Sequence, residues 1–110
     1  MDTYYDPEHL KDFGNIAEGN DDLARRFFSY YGEVFAEGAL TVREKALIAL
    51  AVSHAVQCPY CIEAYSTECL TQGSDLEEMT EAVHVATAIR GGASLVHGLQ
   101  MLEHVKKKSM

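Results

Sequence analysis

Residues 46–61 read ALIALAVSHAVQCPYC. From 46 to 56 every position except Ser53 and His54 is apolar, so a helix here has no face suited to water and must be covered by the rest of the fold or by a second chain. Pro59 ends that helix, because proline has no N–H to donate and pushes the preceding Cys58 out of the helical region. A new helix then begins with Cys58 as its N-cap, Pro59 in the favoured first position and Cys61 in the first turn. Free backbone N–H groups and the positive end of the helix dipole stabilise a thiolate there, the form of cysteine that attacks peroxides and disulfides. The stretch predicts a redox centre built from Cys58 and Cys61.

On the N-terminal side, Thr41-Val42-Arg43-Glu44 is a capping box that starts the central helix. Before it, Leu23, Phe27, Tyr30, Tyr31 and Val34 recur at helical spacing and predict a helix over residues 21–36, with Gly38 after it. Asp6-Pro7-Glu8 has the pattern of a helix start, which predicts a short helix over residues 7–13, broken by Gly14 and by Gly19-Asn20. After the CxxC, the helix runs through Cys69 and Leu70 to Gly73, a left-handed terminator. Ser74-Asp75-Leu76-Glu77 reads as a second capping box, opening a helix with Met79, Val83, Ala86 and Ile89 on one face. Gly91-Gly92 is expected to end it, and a last helix over residues 93–107 carries Leu95, Leu99 and Leu102. No stretch keeps a period-2 alternation, so the expected fold is all-α, a single domain over residues 1–110 with about six helices.

Composition narrows the function. A chain of 110 residues with an uncovered apolar helix is expected to be oligomeric. The longest apolar run is about half the roughly 20 residues that span a membrane, and the N-terminus lacks a basic-then-apolar leader pattern, so the expected location is cytoplasmic. A net charge of −8 argues against a nucleic-acid partner. The one basic run, Lys106, Lys107 and Lys108, suits a helix C-terminus. Three cysteines, two of them in CxxC, do not make an extracellular disulfide framework.

Cys-Pro-Tyr-Cys is also the glutaredoxin signature, but there it follows a strand and faces a cis-proline loop. Here it follows a helix, and the only prolines are Pro7 and Pro59. The run REKALIALAVSHAVQCPYCIEAY, with EAVHVATAIRGGASLVHG downstream, instead resembles the alkylhydroperoxidase D and carboxymuconolactone decarboxylase superfamily. The opening TYYDPEHLKDFGNIAE, taken with AVQCPYC and IRGGASLVHG, is similar to the small peroxidase-like proteins associated with arsenosugar biosynthesis. The resemblance implies an all-helical fold assembled as trimers or hexamers, and a peroxide substrate. It implies a dithiol/disulfide cycle in which the residue matching Cys61 attacks and that matching Cys58 resolves. Lipoyl-bearing or thioredoxin-like proteins would be the reductant, and no cofactor is required. The family also uses a glutamate twelve residues before the first cysteine and a histidine four after the second as a proton relay. Those positions hold Ala46 and Tyr65 in this chain.

The residues offer a substitute relay. His54 lies one turn before Cys58 on the face of Leu47, Leu50 and Ala51, and Tyr65 lies one turn after Cys61, so both are expected beside the thiols. His84 and His97 are further candidates to line the site, although a lone helical histidine is usually structural. Cys69, two turns beyond Cys61, reads as a small core hydrophobe. Three rival readings stand beside the redox one. The cysteines could be soft ligands of an arsenical or metal carrier, with His54, Cys58, Cys61 and Cys69 as the widest ligand set, although the proline break spoils a continuous helical face. They could be inert buried thiols. The chain could instead be a non-redox decarboxylase, whose polyanionic substrate would require converging cations, for which it has only Arg25, Arg26, Arg43 and Arg90 beside its lysines.

Overall fold

Thr41 and Glu44 close the capping box that the sequence spells: the Glu44 N–H donates to Thr41 Oγ1 at 3.0 Å, and the Thr41 N–H donates to Glu44 Oε1 at 2.8 Å. From that start the central helix runs Val42–Ala55. The computed structural model describes residue 8 and residues 12–109. These form a short 3-10 helix (Phe13–Glu18) and four α-helices: α1 (Asp21–Phe35), α2 (Val42–Ala55), α3 (Pro59–Thr71) and α4 (Leu76–Ser109). There is no strand among the described residues. Residues 7 and 9–11 of the helix expected over residues 7–13 lie outside the described residues, while Phe13 begins the 3-10 helix. Where the description begins, Gly14 does not break the chain but sits inside the 3-10 helix.

Helix α2 packs against both α3 and α4 around Ala46, Leu50, Cys69 and Met79, with Leu47 and Tyr65 partly buried against them. Cys69 has no exposed surface, as expected for a core residue. Helix α1 is held differently. Its N-cap Asn20 accepts from the Leu23 N–H, and its far end is fastened to α2 by Lys45, whose ammonium donates to the Val34 and Ala36 carbonyls at 2.7 and 2.6 Å. A run of ring contacts, Phe13–Phe28–Phe27–Tyr31–Phe35–Tyr65, then carries the contact from the 3-10 helix along α1 to α3.

Two sequence expectations are corrected. The capping box that opens α4 is Asp75 to Glu78, one residue later than Ser74 to Glu77: the Glu78 N–H donates to Asp75 Oδ1 at 2.8 Å and the Asp75 N–H donates to Glu78 Oε1 at 3.0 Å. Ser74 is displaced from the cap because its own N–H closes the end of α3 on the Cys69 carbonyl. The second correction concerns Gly91-Gly92, which does not end a helix. α4 continues through it for 34 residues, so the described chain has five helical elements in place of about six. A helical glycine disfavours the helix by only about 1 kcal/mol relative to alanine, and no proline stands nearby to block continuation.

The uninterrupted α4 leaves the body of the chain behind. Leu95, Val96, Leu99, Met101, Leu102 and Val105 on its second half are all exposed, and so are Ile48 and Val52 along α2 and Val56 at its C-cap. The radius of gyration is 18.9 Å, against roughly 13 Å for a compact chain of this length.

Candidate functional site

Helices α2 and α3 are joined by three residues whose backbone is fixed at both ends. The Gln57 N–H donates to the His54 carbonyl and the Cys58 N–H to the Ser53 carbonyl, the pair of reversed bonds that closes a helix around a left-handed residue. That residue is Gln57, at φ 57°, the only non-glycine with positive φ among the described residues. The same motif closes α3, where Gly73 (φ 87°) donates to Leu70 and Ser74 to Cys69. At the first joint the residue after the turn is Cys58, which is also the N-cap of α3, with Pro59 following as the sequence predicts.

Cys58 and Cys61 are joined as a disulfide, with Cα atoms 5.2 Å apart. Cys58 Sγ accepts the Cys61 N–H at 3.2 Å, so a sulfur takes the place of the oxygen that usually caps a helix. In the reduced state the same N–H and the helix dipole favour a thiolate at Cys58. Cys69 is set apart: burial, and secondarily the charge of Glu68, push its thiol up, so it stays protonated in the core.

Both half-buried cysteines open onto a cavity of about 820 Å³. Helix α3 contributes Tyr60, Ala64, Tyr65 and Glu68 to its wall, and α2 contributes Val42 and Ala46. The opposite wall is aromatic: Phe28, Tyr31 and Phe35 from α1, with Phe13 from the 3-10 helix. Cys61, Tyr65 and Glu68 are spaced i, i+4, i+7, so one face of α3 presents thiol, phenol and carboxylate in turn. The Tyr65 ring stacks on Phe35, with centroids 5.2 Å apart. Glu68 Oε1 accepts from Gln72 Nε2 at 2.9 Å. Burial raises the Tyr31 phenol, keeping it a neutral hydroxyl.

The residues singled out in the sequence separate here. Tyr65 shares the cavity wall with both cysteines, and so does Ala46. His54 is half-buried, its Nδ1 donates to the Leu50 carbonyl at 2.8 Å, and it does not line the cavity. His84 and His97 are exposed on α4. Among the described residues, no three His, Cys, Asp or Glu side chains come together as a metal site, and Cys69 is not in the wall. The sequence reading missed Glu68, Tyr60 and the α1 aromatics as wall residues. For Glu68 a signal existed, the seven-residue spacing from Cys61. For Phe28, Tyr31 and Phe35 the helical spacing signals an apolar face of α1 but not what that face meets.

Comparison with known proteins agrees with this architecture. A Paracoccus denitrificans protein designated uncharacterized protein 4 in the cox locus is 35% identical over 96 residues, covering 87% of this chain and 86% of its own. A crystal structure of a Methanobacterium thermoautotrophicum protein matches with a TM-score of 0.75 and 35% identity, over 78% of this chain and 97% of that one. A carboxymuconolactone decarboxylase family protein of Thermotoga maritima, for which involvement in antioxidative response has been suggested, matches with a TM-score of 0.55 and 29% identity, over 76% and 93%. Residues 21–104 match the carboxymuconolactone decarboxylase family itself. With the alkylhydroperoxidase D-like helical fold and the CxxC at the head of α3, the chain belongs to that family.

Proposed function

We propose that this protein is a thiol-dependent oxidoreductase that reduces an organic hydroperoxide, or a disulfide, through a Cys58–Cys61 dithiol cycle. The observation that carries the reading is the CxxC disulfide seated at a helix N-terminus and facing an apolar cavity. The local cap geometry favours Cys58 as the thiolate, but the family resemblance assigns the attack to Cys61, and on that assignment the Cys61 thiolate attacks the terminal peroxide oxygen in the first step. The O–O bond breaks, the alkoxide leaves as alcohol after taking a proton, and Cys61 becomes a sulfenic acid. Cys58 then attacks the Cys61 sulfur, water leaves, and the disulfide forms. A dithiol protein of lipoyl or thioredoxin type returns two electrons and two protons.

Tyr65 is the proposed proton donor to the leaving oxygen, since its place on the cavity wall one turn from Cys61 supports that role. His54 is proposed as the base that deprotonates the thiols from outside that wall. An unchanged Cys61 alkylation rate in His54→Gln across about pH 5–9 would remove it. The decarboxylase reading has less support, because no arginine or lysine lines the cavity among the described residues. Arg25 and Arg26 pair with Asp21 and Asp22 on α1, Arg43 pairs with Glu78, and Arg90 donates to the Ala55 carbonyl.

The protein is further proposed to work as a homo-oligomer, a trimer or hexamer. The buried apolar core of the described chain is Ala46, Leu50, Cys69, Met79 and Ala86, while the apolar stripes of α2 and α4 are bare. So small a core falls short of the conformational entropy of ordering such a chain, which supports covering of the stripes by copies of it. The deciding experiment counts thiols on reduced protein before and after one equivalent of an organic hydroperoxide, on wild type, Cys58→Ser and Cys61→Ser. Rapid loss of two thiols in wild type, with a trapped sulfenic acid in Cys58→Ser, is the expected result. Survival of all thiols for hours would refute the peroxidase reading.

A further inference from the structure

The cavity that faces the disulfide has an uneven distribution of charge. Six of its described wall residues are aromatic: Phe13, Phe28, Tyr31, Phe35, Tyr60 and Tyr65. Among the described residues Glu68 is the only one of that wall with a formal charge, and its carboxylate is half-buried and steadied by the Gln72 amide. Ring faces are electron-rich and attract cations, and a carboxylate beside apolar walls is poorly screened, so both features favour the same sign of ligand. The net charge of −8 on the whole chain adds long-range attraction for cations and repulsion for anions.

We propose that the cavity takes apolar molecules carrying a positive charge, an organic ammonium or similar onium group, with Glu68 as the counter-charge. The α3 geometry also orients such a ligand. Glu68 lies seven residues from Cys61, which is about 10 Å along the helix axis. The positive group therefore sits near Glu68 while the reducible bond lies at the sulfurs, and a ligand of the opposite polarity would bring its anion against the carboxylate. This rests on the cavity being the substrate site of the proposed oxidoreductase, and it assigns Glu68 the part of specificity determinant.

The test measures binding rather than turnover, on the wild-type protein with its disulfide closed. Three benzyl probes of similar shape are titrated by ligand-detected NMR: benzyltrimethylammonium, its neutral carbon isostere neopentylbenzene, and the anion benzylsulfonate. The expected order is cation, then neutral, then anion, with the cation bound at least about tenfold more tightly than the anion. Glu68→Gln keeps an oxygen for the Gln72 amide, and in it the cation–anion gap should narrow to about threefold or less. Equal affinities in wild type, or a tighter anion, would overturn the proposal without need of any variant. A full gap retained in Glu68→Gln would overturn the role of Glu68. Because no peroxide is consumed, a failed thiol count alongside the expected order would remove the redox reading and leave the charge selectivity standing.

Discussion

The two helix joints of this chain permit a paired test, because one backbone motif is built once with glutamine and once with glycine. In both, a left-handed residue precedes a residue that reaches back to close the helix, Gln57 before Cys58 and Gly73 before Ser74. A left-handed conformation disfavours a residue with a Cβ by about 1–2 kcal/mol, whereas glycine adopts it freely but loses about 0.5–1 kcal/mol more in ordering the backbone. A Cβ built at Gly73 meets nothing within 4 Å. The penalty for Gly73→Ala is therefore conformational, about 1–2 kcal/mol of lost stability, less a few tenths returned by a stiffer unfolded chain. Gln57 is exposed. Gln57→Gly removes little packing and should stabilise by about 0.5 kcal/mol, and Gln57→Asn by a similar amount, since asparagine tolerates this region without glycine's entropy loss. Urea unfolding at one fixed protomer concentration, under oxidising conditions, reads both shifts. With a slope of about 1–1.5 kcal/mol/M, Gly73→Ala should lower the midpoint by about 1 M and Gln57→Gly should raise it slightly. A neutral Gly73→Ala, or a Gln57→Gly that destabilises by more than about 1 kcal/mol, would refute the reading that backbone conformation, not side-chain contact, governs both joints.

Leu50 is 1% exposed and among the largest fully buried side chains, so Leu50→Ala should destabilise by about 2–5 kcal/mol, read as loss of the cooperative circular-dichroism transition. Glu78 is held below the usual carboxylate range, first by its hydrogen bond from Arg43 and then by the Asp75 N–H, and Glu44 by the Thr41 N–H and hydroxyl. Because their folded values are depressed, the stabilisation is complete above the ordinary carboxylate pKa of about 4.3 and is lost as pH falls through the folded values. Thermal melts from pH 6 down to about 3 should show this decline, and Glu78→Gln should flatten it. Gly91→Ala should raise the melting temperature, since it gains about 1 kcal/mol of helix propensity and its Cβ meets nothing within 4 Å. A lowered melting temperature would mean that a second chain approaches α4 at that glycine.

The parts of this fold legible in the sequence are those fixed by residues near one another in the chain. The Thr41–Glu44 box, the Cys58 cap, Pro59 and Gly73 each act within a few residues, and the structure has each of them where the sequence places it. Asp75 displaced Ser74 from the cap of α4 because two adjacent polar residues competed for one position, and the choice was made by the preceding helix, which needed the Ser74 N–H for its own closure. Gly91-Gly92 misled for a different reason. Glycine weakens a helix without forbidding it, and the large apolar residues beyond Gly91-Gly92 are exposed among the described residues, so no buried contact there imposes a bend. The cavity was the least legible feature. Its α3 wall follows from a helical repeat that any reader of the sequence can count, but its α1 wall depends on where Lys45 fastens the end of α1 and on Phe35 meeting Tyr65.

That division bears on how the site is built. The sulfur chemistry is placed by local rules, at a joint where the end of one helix and the start of the next share Cys58, so its geometry survives changes elsewhere in the chain. On the proposed function, α1 shares the selection of what reaches the sulfurs with Glu68 of α3, and α1 is attached by Lys45 and a line of ring contacts rather than by a buried core. An element held this way can shift or exchange aromatic side chains without disturbing the CxxC joint. Substitutions at Phe28, Tyr31 or Phe35 should therefore alter which ligands bind while leaving the thiol cycle intact, whereas a substitution at Pro59 should disturb the thiols first.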